Sequence, residues 1–85
     1  MNFIYTKHAE EKLQRLDVVK FSVTKKRLES VIKRPNRSGK SKTGEGIAIG
    51  YLFGTYIIRI VHDIMTDDKI KIITFHVSKR GRYGT

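Results

Sequence analysis

Apolar and polar positions along this chain change their period once, and the change divides it into a helical half and a strand half. Asn2-Phe3-Ile4-Tyr5 reads as a short strand. Thr6 then suits an N-cap, with Ala9, Leu13 and Leu16 following at i, i+4 and i+7 on one helical face. A break over residues 17–22 leads to a second helix. Thr24 is its N-cap, because Val23 and Leu28 then stand at the two positions of a hydrophobic staple. Leu28, Val31 and Ile32 supply its apolar face, and Pro35 ends it. Two short helices with a short connection are expected to pack as an antiparallel pair.

From Ile47 onward the alternation has period two. Gly54-Thr55 fits a type II′ hairpin turn, and a second turn centres on Asp67-Asp68. Uninterrupted ladders from the first turn pair Tyr51 with Ile58, Ile49 with Ile60 and Ile47 with His62. Ladders from the second pair Ile58 with Val77, Ile60 with Phe75 and His62 with Ile73. The expected fold is therefore α+β: a short N-terminal strand, an antiparallel helix pair, then a three-stranded antiparallel meander with the helices on one face. Residues 1–85 form a single domain, as a chain of this length has one core at most.

These registers place Arg59 between Gly50 and His76, and Val61 between Ala48 and Thr74, on the face away from the helices. An ordinary solvated sheet face would carry scattered charges. One Arg and one His above small side chains instead predict a shallow binding or catalytic groove. His62 falls on the opposite face and reads as a core histidine. His8 shares a helix face with Lys12 and Arg15, the place for a surface phosphate contact or plain solvation.

Composition sharpens this picture. The 18 Lys and Arg against 8 Asp and Glu give a formal charge of +10. Residues 1–44 hold 12 of the basic side chains and 4 of the acidic ones, residues 45–78 are nearly neutral, and the last seven add Lys79, Arg80 and Arg82. Segregated positive charge of this size predicts a polyanionic partner, in the first place nucleic acid. Lys25, Lys26 and Arg27 fill the first turn of the second helix, where the helix dipole favours acids, so a ligand is one reason for them to stand there. With no Cys, disulfides, thiolate nucleophiles and Cys-containing zinc sites are excluded. The three His residues show no metal-ligand spacing, and no metal is expected. Gly39-Lys40-Ser41 is not a P-loop, since Arg34 stands where the motif needs Gly and a strand follows. The longest apolar run is too short for a bilayer span and no signal peptide is evident, so a cytoplasmic location is expected.

Three stretches carry a likeness to a known family: Gly54-Thr55-Tyr56-Ile57-Ile58-Arg59-Ile60-Val61, Lys69-Ile70-Lys71-Ile72-Ile73-Thr74-Phe75-His76-Val77, and Arg80-Gly81-Arg82-Tyr83. Together with the order of elements, they resemble the RelE/ParE toxin superfamily. The opening Tyr5-Thr6-Lys7-His8-Ala9 with Arg15 is similar to a subgroup with a His at the start of its first helix. The resemblance implies a toxin neutralised by a small acidic antitoxin. It implies an endoribonuclease that cuts mRNA on the ribosome without metal or cofactor, by attack of the substrate's 2′-hydroxyl on the adjacent phosphate.

Under that resemblance Arg59 matches the mid-strand Arg that stabilises the transition state, Arg80 or Arg82 the late Arg, and Tyr83 the late Tyr. Lys40 and Lys42 match lysines that grip phosphate. His76 joins Arg59, Arg80 and Tyr83 in the expected catalytic set on the register argument, as a proton-transfer group. Lys25, Lys26, Arg27, Arg37, Lys40, Lys42, Lys79 and Arg82 make up the expected RNA-binding set. The ending from His76 to Tyr83 is longer and more basic than the family pattern. Superfamily members that act on gyrase instead keep a non-catalytic binding module open as the alternative.

Overall fold

A computed structural model describes residues 2–79, the side chains of Leu16 and Asp17 apart; Arg80, Arg82 and Tyr83 of the expected site lie outside it. Strand β1 (Asn2–Tyr5) leads into helices α1 (Lys7–Lys12), α2 (Leu16–Val19) and α3 (Lys25–Lys33). Strands β2 (Arg37–Lys40), β3 (Gly46–Phe53), β4 (Tyr56–Thr66) and β5 (Lys69–Lys79) follow. All the strands join one five-stranded sheet of order β1-β5-β4-β3-β2, with β1 parallel to β5 and the other neighbours antiparallel.

This overturns the expected architecture of a helix pair set on a three-stranded meander. The meander is only the middle of a mixed sheet, and the helices pack on that sheet rather than on each other. α1 leans on β1 and β5, and α3 on β3. Thr6 and Thr24 do cap their helices, each hydroxyl accepting from the backbone N–H three residues on. The first helix stops at Lys12, however, with Leu13 at its C-cap, and Leu16, expected on its face, instead opens α2, which runs into the expected break. Arg37-Ser38-Gly39-Lys40 becomes a strand although all four residues are exposed. Its hairpin closes through Ser41, whose hydroxyl donates to the Glu45 carboxylate at 2.8 Å, and through Gly44 at φ +96°.

Three bulges set the registers. β4 and β5 pair as expected over Ile58–Val77, Arg59–His76, Ile60–Phe75 and Val61–Thr74, then slip so that His62 faces Ile72 rather than Ile73. Met65 on β4 is one extra residue and Ile73 on β5 is the other. Because they lie on opposite strands they cancel, which restores the register set by the Asp67-Asp68 turn. In the β3–β4 hairpin nothing cancels Leu52. Phe53 pairs with Tyr56 across Gly54-Thr55, but beyond Leu52 the partners become Gly50–Ile58, Ala48–Ile60 and Gly46–His62. The expected pairs Tyr51–Ile58, Ile49–Ile60 and Ile47–His62 are each off by one, and a slip of one turns every β3 side chain to the other face.

The physical reason lies above β3. A Cβ at Gly50 would stand 2.7 Å from Val31 Cγ2 on α3, and one at Gly46 would stand 2.7 Å from the His62 Nε2 atom. The row Gly46, Ala48, Gly50 is thus the seat that lets α3 and His62 close onto the sheet, not the floor of a groove. Above it lie Leu28, Val31, Ile58, Ile60, Ile72 and Phe75, all in one buried cluster with Ala9, Val18 and Val23. Burying side chains of this size stabilises by roughly 1.5–3 kcal/mol each. The bulge itself is held from both sides: Arg27 Nη2 donates to the carbonyls of Tyr51 and Leu52, and the Asn36 side-chain oxygen accepts from Tyr51 N–H at 3.1 Å.

Gly50→Ala should therefore destabilise the fold by about 1–3 kcal/mol through overpacking. Adding Val31→Ala should return part of that loss, as read by urea unfolding of the single and double variants. Strictly additive losses would contradict the close approach.

Candidate nucleic-acid interface

The shift in β3 changes what stands beside Arg59. One row now crosses four strands on the face away from the helices: Arg37, Ile49, Arg59 and His76. The expected neighbour Gly50 is gone from it, and Val61 lies between Ile47 and Thr74 instead of Ala48 and Thr74. That face has no floor of small residues. Ile49 and Ile57 are buried on it. The Arg59–His76 pairing survives, and Arg37 joins the same row two strands further on, roughly 10 Å from Arg59 at the usual strand spacing.

What builds a site around His76 is the edge of β5. β1 pairs only with residues 69–72, so its last residue, Tyr5, stands opposite Ile72. At Thr6 the chain turns into α1, the Thr6 N–H donating to Ile72 O at 3.1 Å and its hydroxyl to Ile73 O at 2.7 Å. α1 therefore runs beside the stretch of β5 that β1 leaves uncovered. His8 and Lys12 stand one turn apart on α1, Arg15 follows in the turn beyond it, and Lys12 Nζ comes 3.0 Å from His76 Nδ1. A cleft of about 540 Å³ opens here, lined by Lys12, Arg15, Lys20 and His76, with Val18, Phe21 and Val77 as its apolar wall.

The His76 pKa is held below the ordinary histidine value, first by partial loss of hydration, then by the positive charges of Lys12, Arg59 and His8 in that order. An ammonium can only donate, so Lys12 makes Nδ1 the acceptor and leaves the ring proton on Nε2. Both effects favour the neutral imidazole, and the cleft leaves room for an anion between the cations around it.

The other expected cations are placed elsewhere. Lys25 pairs with Glu10 at 2.6 Å and lies 4.7 Å above the Tyr5 ring. That pairing and the hold of Arg27 on the β3 bulge account for two of the three charges in the first turn of α3. Lys26 instead lines a separate hollow of about 300 Å³ with Glu29, Ser30, Lys33 and Arg34. By register Lys40 falls on the opposite face from Arg37, Lys42 sits in the β2–β3 hairpin, and Lys79 pairs with Tyr56 at the far end of β4. Glu29 accepts a hydrogen bond from the Tyr5 hydroxyl, and burial together with that carboxylate raises the Tyr5 pKa.

His62 stands on the helix side, half-buried, its pKa pushed down by burial, with no hydrogen-bond partner for Nδ1 among the described residues. Thr74 and Ser78 also carry buried hydroxyls without a hydrogen-bond partner among the described residues. Among the described residues no group of three or more His, Asp or Glu is placed to hold a metal ion, and no helix is long and apolar enough to cross a membrane. Lys12 is the residue that sequence reasoning passed over. Its signal was the shared helix face with His8 and Arg15, but nothing local told that this face would meet His76.

Removing a neighbouring cation relieves the penalty on the imidazolium and raises the pKa. Lys12→Met should therefore move the His76 midpoint upward towards 6.5, as followed by the pH dependence of its ring NMR signals. Arg59→Met should give a smaller shift of the same sign. A midpoint that stays put or falls in Lys12→Met would show that the two groups do not interact.

Compared with protein-family models, curated proteins and solved structures, the chain finds no match.

Proposed function

We propose that this protein is a metal-independent endoribonuclease toxin of the RelE type, acting on mRNA in the cytoplasm at the ribosome and held in check by a small acidic antitoxin. The observation that supports it best is His76 flanked by Arg59 on β4 and Lys12 on α1. Cutting RNA by its own 2′-hydroxyl needs a base, a cationic cradle for the phosphorane and a proton for the departing 5′-oxygen. A phosphate entering the cleft competes for Lys12 and frees His76 Nδ1, which then takes the 2′-hydroxyl proton. Arg59 is suited to bind two phosphate oxygens at once, as a guanidinium does. Lys12 is the ammonium nearest to the histidine, placed to protonate the 5′-oxygen as the P–O bond breaks. A carboxylate-rich antitoxin segment would meet the same cations and block the cleft.

The test is RNA cleavage in excess EDTA, on free RNA and on translating ribosomes. The wild type should leave 2′,3′-cyclic phosphate ends. His76→Ala should cut about 10²-fold more slowly or worse, and Arg59→Ala should lose at least as much. If the wild type leaves both substrates intact, or if both variants cut at the wild-type rate, this reading falls. The protein is then a non-catalytic binding module.

A further inference from the structure

Beside the cleft stands an aromatic cluster that the cleavage chemistry does not use. Phe21, two residues past the end of α2, faces Phe53 and Tyr56, which pair across the β3–β4 hairpin turn. Phe21 and Phe53 are stacked at 6.0 Å between ring centres and 29° between planes. Tyr56 lies 4.8 Å from Phe21 and 5.6 Å from Phe53. Three rings of this size would serve as an ordinary satellite core if they were covered, but Phe53 is 53% exposed. The fold also fixes that exposed ring in place. Phe53 is the residue after the Leu52 bulge, and Arg27 ties the carbonyls of Tyr51 and Leu52 from α3.

Charge surrounds the cluster. Lys20 Nζ lies 5.3 Å from the centre of the Phe21 ring, and Lys79 shares the cross-strand row of Tyr56 and Phe53. Phe21 and Lys20 are also walls of the cleft that holds His76, so the cluster adjoins the cleft cations through Phe21. Rings interleaved with cations match a strand of nucleic acid, whose bases offer flat faces and whose backbone offers an anion at each step.

On the basis of the cleavage reading above, we propose that Phe53, backed by Phe21 and Tyr56, is a stacking platform for an unpaired base next to the phosphate held at His76. It makes single-stranded nucleic acid the substrate class. A duplex keeps its bases stacked on one another and has none to offer the platform, so it engages the cations alone.

The probe is a labelled single-stranded RNA of about ten nucleotides, 2′-O-methylated so that it cannot be cut, compared with a duplex of the same sequence. Phe53→Ala should weaken the single strand roughly five- to tenfold and leave the duplex within about twofold, with Phe53→Leu close to Phe53→Ala because a flat ring is what matters. Equal losses on both probes, no loss on either, or full affinity in Phe53→Leu would overturn the platform. The double variant Lys12→Ala, Arg15→Ala separates this from the parent reading and should weaken both probes. If the double variant binds both as the wild type does, the cleft reading fails and the platform with it. If only the Phe53 variants are silent, the platform alone fails. Unchanged thermal unfolding of the Phe53 variants, whose site is exposed, keeps a folding defect from passing as lost binding.

Discussion

The close approach of α3 to β3 at Gly50 is the constraint on which the rest of this molecule depends. Val31 reaches so near the strand that a methyl group there would collide with it. Only a row of small residues beneath α3 meets that demand, and Gly46, Ala48 and Gly50 face the helix only if one residue is inserted between them and the hairpin turn. Leu52 is that residue. Its bulge leaves carbonyls outside the ladder, and Arg27 answers them from the helix the row was made to receive. Helix, glycines, bulge and arginine are one arrangement, and removing any member loosens the others.

The same arrangement decides what the two faces of the sheet present. With β3 shifted by one, Ile47 and Ile49 lie on the open face, and the chemistry withdraws from the middle of the sheet to its β5 edge. There β1 stops short, α1 fills the gap, and cations from two elements converge on His76. The stretch of β5 beyond β1 is not left bare: α1 packs Ala9 into the core beside it and brings Lys12 to its rim, with Arg15 in the turn that follows. Charge that would repel itself on a closed surface is suited to an anion that enters from solvent.

Some of this was legible in the sequence for identifiable reasons. The two turns and the Arg59–His76 pair follow from alternation because Met65 and Ile73 offset one another, so a simple ladder gives the right partners across residues 58–61. The helix caps at Thr6 and Thr24 are local chemistry and could be read locally. β2 was not legible, since Arg37-Ser38-Gly39-Lys40 has no apolar position to reveal a strand and pairs only because the Ser41–Glu45 hairpin brings it back. The parallel seat of β1 on β5 is a long-range choice with no local mark. The Leu52 bulge was hidden as well: the small residues on β3 were visible, but whether they made room for a ligand or for a helix depended on a tertiary contact. Arg27 and Lys25 illustrate the same limit, as charges that look available for a ligand are engaged by carbonyls and a carboxylate from distant elements.

The most direct measurement is an NMR titration of the labelled protein with uncleavable 2′-O-methyl RNA, following the side-chain signals of Lys12, Arg59 and His76. A common saturation curve for these three groups, with His76 Nδ1 losing the hydrogen bond it accepts from Lys12, is what the structure predicts. Shifts confined to Lys26, Lys33 and Arg34 on the outer side of α3, with the His76 signals unmoved at saturation, would place the nucleic acid elsewhere and contradict the account.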